Sequence, residues 1–338
     1  SVPSMSALTP YLSDHWREYV SQSGFRGPAD TMLPAAGGAG SDPPAVVRDA
    51  LDGPGTDLGI LCCSYPVDAL HNPDLAAELS RAVNDWQSDE WLALDPRLRA
   101  SIVVPVRDPS LAAEEIDRVG DRPGFVQVAL PACSPLPYGN RIYLPLLEAA
   151  ARHDLAVALR PGGASGNPPT GAGWPSFRIE DHVGVAQVFQ SQVLSLIVEG
   201  VFDRLPALRV VCVEGGFAWV PSLMWRMDKE WKGLRREVPW NSQVPSRYVR
   251  DRIRFTTTSM DAPPAPLHLL QIIDQMESEE LLLFASHHPH EIGGEGEAML
   301  DALPVPLRQA VLGGNAWRFY GLQSPAEEVH AGRQPSGG

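Results

Sequence analysis

The stretch Leu281–His290, L-L-L-F-A-S-H-H-P-H, decides how the chain is interpreted. Its first six residues, Leu281–Ser286, are apolar or small, a pattern typical of a strand buried on both faces of a parallel sheet. Three histidines follow at once: His287, His288 and His290. Side chains at the carboxyl end of such a strand line the ligand crevice, so these histidines indicate a metal or acid–base site. The alternative is one hydrogen-bonded histidine with solvated neighbours, which the lack of carboxylates at ligand spacing favours.

Further buried-strand patterns precede this one, and helical patterns lie between most of them. The other predicted strands are Leu58–Ser64, Ser101–Val106, Phe125–Leu130, Leu155–Arg160, Leu208–Glu214 and Ile253–Thr258. The predicted helices are Pro73–Leu92, Ser110–Val119, Leu144–His153, Val183–Phe202, Pro221–Arg236, Pro264–Met276 and a last one that begins near Pro306. This alternation predicts an α/β fold, a (β/α)8 TIM barrel, with a doubly wound open sheet as the alternative. A closed barrel of this type needs eight strands and seven are visible, so we expect the first strand to lie upstream of Ser1.

The pattern divides the chain into three parts. Residues 1–57 are predicted to be an irregular N-terminal segment packed on or near the barrel, with a short helix at Leu12–Val20 and a loop rich in Gly and Pro from Gly24 to Gly55. Residues 58–322 are predicted to form the barrel. Residues 323–338 are predicted to be a disordered tail.

Composition excludes several classes of partner. The formal net charge of the 338 residues is -14, which argues against binding to nucleic acid or to an anionic membrane. No apolar run approaches the ~20 residues needed to cross a bilayer. The N-terminus shows no signal-peptide pattern, and the four cysteines form no C-x-x-C motif. A reducing, cytoplasmic location is the simplest prediction.

Charged and imidazole side chains stand at the carboxyl ends of three predicted strands. These are Arg160, Glu214 and His287, and the parallel arrangement directs them to one mouth of the barrel. A buried carboxylate needs a partner, so the sequence favours an ion pair between Glu214 and Arg160 over metal ligation by Glu214. His182, near the start of the following helix, either makes a local helix-start hydrogen bond or faces the site. Asn72 and Pro73 make a good N-cap and N1 pair for the helix after His71.

Four motifs together resemble a known family. They are V-E-G-G-F-A-W-V-P-S-L-M-W-R-M-D-K-E-W (Val213–Trp231), H-N-P-D-L-A (His71–Ala76), S-H-H-P-H (Ser286–His290) and G-G-N-A-W-R-F-Y-G-L (Gly313–Leu322). They are similar to motifs of the amidohydrolase-related family, which includes aminocarboxymuconate-semialdehyde decarboxylase-like proteins. Within it the chain looks closest to the subunits of α-aminoisobutyrate hydroxylase. The resemblance implies a metal-dependent (β/α)8 barrel among hydrolases, decarboxylases and a few oxygen-using enzymes.

The chain departs from the family at the positions that bind the metal. The family's first strand ends in H-x-H or D-x-H, a motif that would precede Ser1. A histidine of the family is replaced by Arg160, and its aspartate in S-D-Y-P-H is replaced by His287. A guanidinium has no lone pair to donate and repels a cation, so Arg160 cannot ligate a metal.

Two functions are consistent with these residues, and the loss of two ligand types favours the first, with the second as the alternative. The first is a subunit with a degenerate metal site, the structural or regulatory partner of a homologous amidohydrolase-fold subunit in a hetero-oligomeric metal-dependent oxygenase or hydrolase. The second is an active hydrolase or decarboxylase with a non-standard ligand set, in which Arg160 clamps the carboxylate of a small substrate. His287 and Glu214 are the predicted catalytic residues, also able to act as acid and base without metal. Arg160, His182 and Trp174 are the predicted substrate contacts, and Glu214, His182 and His287 are the predicted ligands of a divalent Zn, Mn or Fe, which is absent in the first function.

Overall fold

The computed structural model of the chain describes residues 3–28, 42–163, 167–258, 263, 265–286, 288–289 and 299–323. Seven parallel strands form one sheet, and every strand pairs with its neighbours in chain order. The strands are β1 Gly59–Leu61, β2 Leu98–Val103, β3 Phe125–Pro131, β4 Ala156–Arg160, β5 Val210–Cys212, β6 Ile253–Thr256 and β7 Leu282–Leu283. All seven predicted strands are thereby confirmed. An eighth strand is not found among the described residues, so the strand expected before β1 stays a prediction.

Thirteen helices are found among the described residues. They are α1 Met5–Leu8, α2 Asp14–Ser23, α3 Pro43–Val46, α4 Pro73–Gln87, α5 Pro109–Val119, α6 Leu144–Arg152, α7 Arg178–Val198, α8 Val201–Arg204, α9 Val220–Leu234, α10 Pro245–Arg252, α11 Pro266–Gln275, α12 Val305–Gln309 and α13 Asn315–Tyr320. Short π-helical segments continue three of them, at Val47–Asp52, Ser88–Leu92 and Ala310–Gly314. Within the described residues, no helix is long and apolar enough to cross a membrane.

The N-terminal segment is more regular than its composition predicts. Helices occupy Asp14–Ser23 and Pro43–Val46, the second inside the stretch predicted to be a loop. Proline at the first helical positions costs no hydrogen bond, so the Pro-rich sequence starts this helix instead of breaking it. Leu8 and Leu51 are buried in one cluster with residues of α4, and this packing holds the segment in place.

Strand β7 is shorter than predicted. The prediction spans Leu281–Ser286, whereas β7 ends at Leu283. The reason is local, because the backbone N–H of Phe284 donates to the carbonyl of Val311 at 3.0 Å instead of to the neighbouring strand. Beyond that point threonines of β6 and the following turn hold the chain: the N–H of Ala285 donates to Thr257 Oγ1, and Thr258 Oγ1 donates to the carbonyl of Ala285 at 2.6 Å.

The interior face of the sheet is filled partly by α13. Small side chains such as Ala156 and Ala158 on β4 leave room there, and Phe319 of α13 packs against them. The Phe319 ring lies 5.9 Å from the guanidinium carbon of Arg209 and 5.5 Å from that of Arg254. Helix α13 therefore closes the amino-terminal end of the sheet, which we call the floor, and leaves the carboxyl-terminal end as the mouth.

A hydrogen-bond chain ties the floor helix to the far strands. Tyr320 OH donates to Gln127 Oε1 on β3 at 2.7 Å. Gln127 Nε2 donates in turn to Ser101 Oγ on β2 at 2.8 Å, and that hydroxyl donates to the carbonyl of Leu61 on β1. The last helix thus reaches the first three strands through polar contacts.

Candidate active site

Arg160 ends β4 at the mouth. The β3–β4 register places it opposite Pro131, and its carbonyl accepts the N–H of Ala132 at 2.7 Å, so its backbone is fixed. Its side chain is half-buried, and the guanidinium Nε is fully buried without a hydrogen-bond partner. Among the described residues, its one recorded hydrogen bond runs from Nη1 to the carbonyl of Pro161 at 3.1 Å. The cation therefore keeps most of its donors available.

Two glycines after β4 make room for this guanidinium. Gly162 has a φ of 139°, and a Cβ there would lie 2.9 Å from Arg160 Nη1. Gly163 has a φ of 78°, and a Cβ there would collide with the carbonyl oxygen of Cys133. Both positions need glycine for conformation as well as for space. The R-P-G-G sequence is thus one unit that folds around the arginine.

Glu214 lies just after β5, the strand next to β4. Its φ of 60° is left-handed, which turns the chain sharply as it leaves the sheet. Its N–H donates to Thr256 Oγ1 at 2.9 Å, which fixes that turn to β6. The half-buried side chain makes a further contact of its own.

The ion pair predicted between Glu214 and Arg160 is not formed within the described part of the chain. The two residues stand at the ends of neighbouring strands, yet no ion pair between them is found there. The left-handed backbone at Glu214 explains the error, because it redirects a side chain that a regular strand would have placed by simple alternation. The two charges are neighbours at the mouth without being a bonded pair.

Cys62, which sequence reasoning did not select, lies within the field of both charges. Burial raises the pKa of its thiol, and Glu214 raises it further, while Ser101 and Arg160 act in the opposite direction. Gln127 Nε2 lies 3.6 Å from the sulfur. The predicted strand Leu58–Ser64 contains Cys62, so the strand-end rule that selected Arg160 could not find it, whereas the observed strand ends at Leu61.

Asp68 is a second residue that the sequence did not indicate. It lies in the short 3-10 turn Val67–Ala69 after β1, where Arg107 Nε donates to its carbonyl at 2.8 Å. Burial raises the pKa of Cys133 to about 11, and Asp181 and Asp68 act in the same direction. Cys133 in turn donates its N–H to the carbonyl of Gly162 in the arginine turn. Asp68 therefore adds negative charge to the mouth.

His182 and Trp174 are not brought to Arg160 by any recorded contact. His182 is exposed in the first turns of α7, and its Nε2 accepts a hydrogen bond from Arg178 Nε at 3.1 Å. Trp174 is 62% exposed in the loop before α7. The structure thus favours the local helix-start bond for His182.

The N-cap prediction for α4 is confirmed, since Asn72 Oδ1 accepts the N–H groups of Asp74 and Leu75 at 3.1 Å.

The histidines that follow β7 are only partly visible. His287, predicted as catalytic residue and metal ligand, and His290 lie outside the described residues. His288 is exposed, and its N–H lies 3.4 Å from Ser286 Oγ, a contact at the limit of a hydrogen bond. Its position gives it no contact with Arg160.

The donors that the structure describes at the mouth do not suit a divalent metal. Over the described ranges, no three or more His, Cys, Asp or Glu side chains are grouped to hold an ion. Of the predicted ligands that the structure describes, Glu214 lies at the mouth. Its neighbour Arg160 is a permanent cation that repels a metal. The predicted set of Glu214, His182 and His287 is therefore not assembled by the residues that the structure describes.

Comparison with known proteins gives a consistent set of relatives. A family model described as amidohydrolase matches residues 31–322. The gamma-resorcylate decarboxylase of Polaromonas sp. strain JS666 is 28% identical over 224 residues, which cover 62% of this chain and 66% of that protein. The chain thus matches slightly less than two thirds of that relative's length.

Solved structures show the same fold. The 5-carboxyvanillate decarboxylase LigW from Sphingomonas paucimobilis superposes with a TM-score of 0.71 at 20% identity, covering 96% of this chain and 98% of that one. A dihydroxybenzoic acid decarboxylase from Polaromonas sp. JS666, solved with bound manganese and the inhibitor 2-nitroresorcinol, gives a TM-score of 0.67 at 24% identity and covers 91% and 94%. At these identities the likeness establishes the barrel-type fold and no more.

Proposed function

This chain belongs to the amidohydrolase family, and from that premise we propose that it is a decarboxylase of a small aromatic carboxylate. The relatives support this function more than a regulatory subunit with a degenerate site, because those matched by sequence are decarboxylases of such acids. A hydrolase of a small carboxylate has no comparable support among them. The substrate itself is not specified beyond an aromatic ring that carries a carboxylate.

The arrangement of Arg160 beside Glu214 is the observation that carries the proposal. A cation with free donors and a carboxylate end adjacent strands at one mouth. The guanidinium fork matches a carboxylate bidentately and so fixes its plane and its position. The neighbouring acid then stands where it can exchange a proton with the substrate.

The reaction needs one proton and releases one molecule of carbon dioxide. Arg160 holds the substrate carboxylate, and Glu214 passes a proton from a water molecule to the ring carbon that carries this carboxylate. The C–C bond to the carboxylate then breaks, its electron pair returns to the ring, and CO2 leaves. The hydroxide that remains from the water carries the negative charge of the lost carboxylate, so atoms and charge balance. Because the described residues of the mouth do not suit a metal, no step is routed through one.

Turnover of 2,6-dihydroxybenzoate and 5-carboxyvanillate, followed by CO2 release and chromatography of the ring product, tests the function. We expect turnover by the full chain, and Arg160→Met is expected to raise KM by about 10–100-fold, the equivalent of ~1.5–3 kcal/mol of charge-assisted hydrogen bonding. Arg99→Met is the matched control, since Arg99 lies towards the floor and donates to the carbonyls of Pro96 and Leu98. No product from a panel of hydroxylated benzoates would contradict the proposal.

A second candidate function, association with another amidohydrolase-fold chain, is favoured by the exposed side of α7. Phe177, Ile179 and Val183 are 69%, 71% and 71% exposed. Exposed Arg178 and Glu180 lie between these apolar side chains, whereas Val183–Val198 carries no charged residue. An apolar face with one cation and one carboxylate beside it suits a second chain of the same kind.

The mass of the chain in solution tests this association. A second copy of the chain is the partner available in the assay, so we expect the mass of a dimer by light scattering. Ile179→Glu combined with Val183→Glu is expected to give a monomer, while Leu312→Glu at an exposed site elsewhere is the control. A wild-type monomer at micromolar concentration would argue against this face as an interface.

A further inference from the structure

Arg160 is a half-buried cation for which the fold provides no counter-ion in the described part of the chain. Its Nε is fully buried and unbonded, and the recorded ion pairs do not include it. Arg254 and Arg209 also have a buried, unbonded Nε, but each has an acidic partner: Arg254 meets Glu280 at 3.2 Å, and Arg209 meets Asp154 at 3.0 Å. A partly buried charge without a partner is costly, so its presence at the mouth points to an anion that arrives from solution.

The turn after β4 fixes the position of the Arg160 guanidinium. Gly162 leaves the space that Arg160 Nη1 occupies, and Pro161 accepts a hydrogen bond from the same nitrogen. The backbone of Arg160 is itself bonded to Ala132 on the next strand. A preorganised donor loses little conformational entropy on binding, which strengthens the contact with a ligand.

The position of Arg160 is also unfavourable for a metal ion, and the described residues of the mouth provide no donor set for one. A related decarboxylase structure contains bound manganese. Here the positive charge at the carboxyl end of β4 is covalent and permanent, and no ligand cluster surrounds it in the described ranges. Guanidinium and divalent ion both offer positive charge to a carboxylate, but the two repel each other at short range.

We propose that the guanidinium of Arg160 takes the place of a metal ion at this mouth, so that the chain binds small aromatic carboxylates without any divalent metal. This inference rests on the proposed substrate class and adds how that class is held. Arg160 forms two parallel N–H···O bonds to the carboxylate, and Gly162 keeps the fork in position. The affinity for the carboxylate is set by the arginine and is insensitive to chelators and to added metal.

Calorimetric titration with 2,6-dihydroxybenzoate as the probe tests this in the Glu214→Gln background, in which the proposed proton transfer is removed and the probe is not consumed. The full chain is titrated after EDTA treatment and again with excess MnCl2. We expect the two dissociation constants to agree within about twofold, and Arg160→Met to weaken both by at least about tenfold. Arg160→Lys keeps the charge and loses the planar fork, so its dissociation constant is expected to lie between those of the wild type and Arg160→Met. Arg99→Met is expected to bind as the wild type does. Thermal unfolding of each variant shows that it is folded.

Several outcomes would overturn the inference. Binding that appears only with manganese, binding that EDTA abolishes, wild-type affinity in Arg160→Met, or no binding of the probe in either condition would each do so. The proposed decarboxylase activity is tested separately from metal-free binding. Metal-free binding through Arg160 without CO2 release from any acid would leave this inference standing and contradict the decarboxylase, whereas manganese-dependent CO2 release would do the opposite.

Discussion

Glu214 combines a left-handed backbone with the carboxylate to which we assign the proton transfer, and the two roles can be separated by substitution. A φ of 60° strains any β-branched residue, whereas glycine adopts it freely. We expect Glu214→Gly to keep its free energy of unfolding within ~1 kcal/mol of wild type and Glu214→Val to lose ~1–2 kcal/mol relative to the glycine variant. Both should lose turnover by about 100-fold or more. Urea unfolding and CO2 release measure the two effects, and a glycine variant that retains turnover would remove Glu214 from the reaction.

His153 gives the chain a pH-dependent contribution to stability, away from the mouth. Its Nδ1 lies 2.7 Å from Asp121 and its Nε2 lies 3.0 Å from Asp117. Burial lowers the pKa of His153, but the two carboxylates outweigh burial and raise it above the ordinary value of 6.5. A raised pKa in the folded state means that the stabilisation is complete below pH 6.5 and is lost as the pH rises through the folded-state value.

The expected result is a difference between two unfolding curves measured from pH 6 to pH 9. Wild type should lose stability relative to His153→Gln across this window, by about 1 kcal/mol or less because the carboxylate partners are exposed. The control is Asp121→Asn, which removes one partner and should halve the effect. A difference that is constant with pH would show that the histidine stays in one protonation state.

Residues at the mouth were predictable where a rule of topology applied. The positions of Arg160 and Glu214 at adjacent strand ends follow from the alternation of strands and helices alone. Cys62 lies inside the predicted strand Leu58–Ser64, so the rule did not reach it. Asp68 follows a strand with no charged residue at its end, so no chemistry marked it. The relation between Arg160 and Glu214 could not be predicted, because one backbone torsion decides it.

At the scale of elements, the turn after β4 predicts a graded series of glycine variants. Gly162→Ala should displace Arg160 Nη1, which a Cβ would approach to 2.9 Å, and so weaken binding of 2,6-dihydroxybenzoate while the chain still folds. Gly163→Ala should destabilise the fold by more than ~2 kcal/mol, because its Cβ meets the carbonyl oxygen of Cys133. Gly171→Ala, with nothing within 4 Å of the added carbon, is the control. Calorimetry and urea unfolding separate the effects, and unchanged binding in Gly162→Ala would contradict this role of the turn.

Elements with one dominant pattern were predictable, and elements shaped by packing were not. The buried runs located strands β1 to β7, although β7 is shorter than predicted and β2 begins at Leu98 instead of Ser101. The proline-started helices α4 and α5 lie close to their predicted bounds. Helix α10, with arginine at three of eight positions, lacks the apolar stripe of a core helix and was missed. Helix α3 was missed because glycine and proline dominate its surroundings, while its burial depends on contacts with α4 that no local pattern shows.

On the scale of the whole molecule, α13 links the floor to strands far away in sequence. Tyr320→Phe keeps the ring but removes the donor to Gln127 Oε1, an acceptor whose side chain is 1% exposed. Leaving a buried acceptor unsatisfied is expected to cost ~1–3 kcal/mol in free energy of unfolding. Tyr248→Phe is a comparison variant, because its hydroxyl donates to Asp203 near the surface and should cost less. If both variants lost the same free energy of unfolding in urea, the Tyr320–Gln127 hydrogen bond would contribute no more than the Tyr248–Asp203 bond.

The floor helix also sets an order of events during synthesis. Ribosomes extend a chain from its amino end at roughly 5–20 residues per second, so Tyr320 emerges seconds after the last strand. Until then Ala156, Ala158 and their neighbours on the inner face have no Phe319 to cover them, and the arginines at the sheet's lower edge have no ring to stack on. The nascent sheet therefore exposes apolar surface until α13 has emerged, and closing of the floor by this helix is a late step of folding.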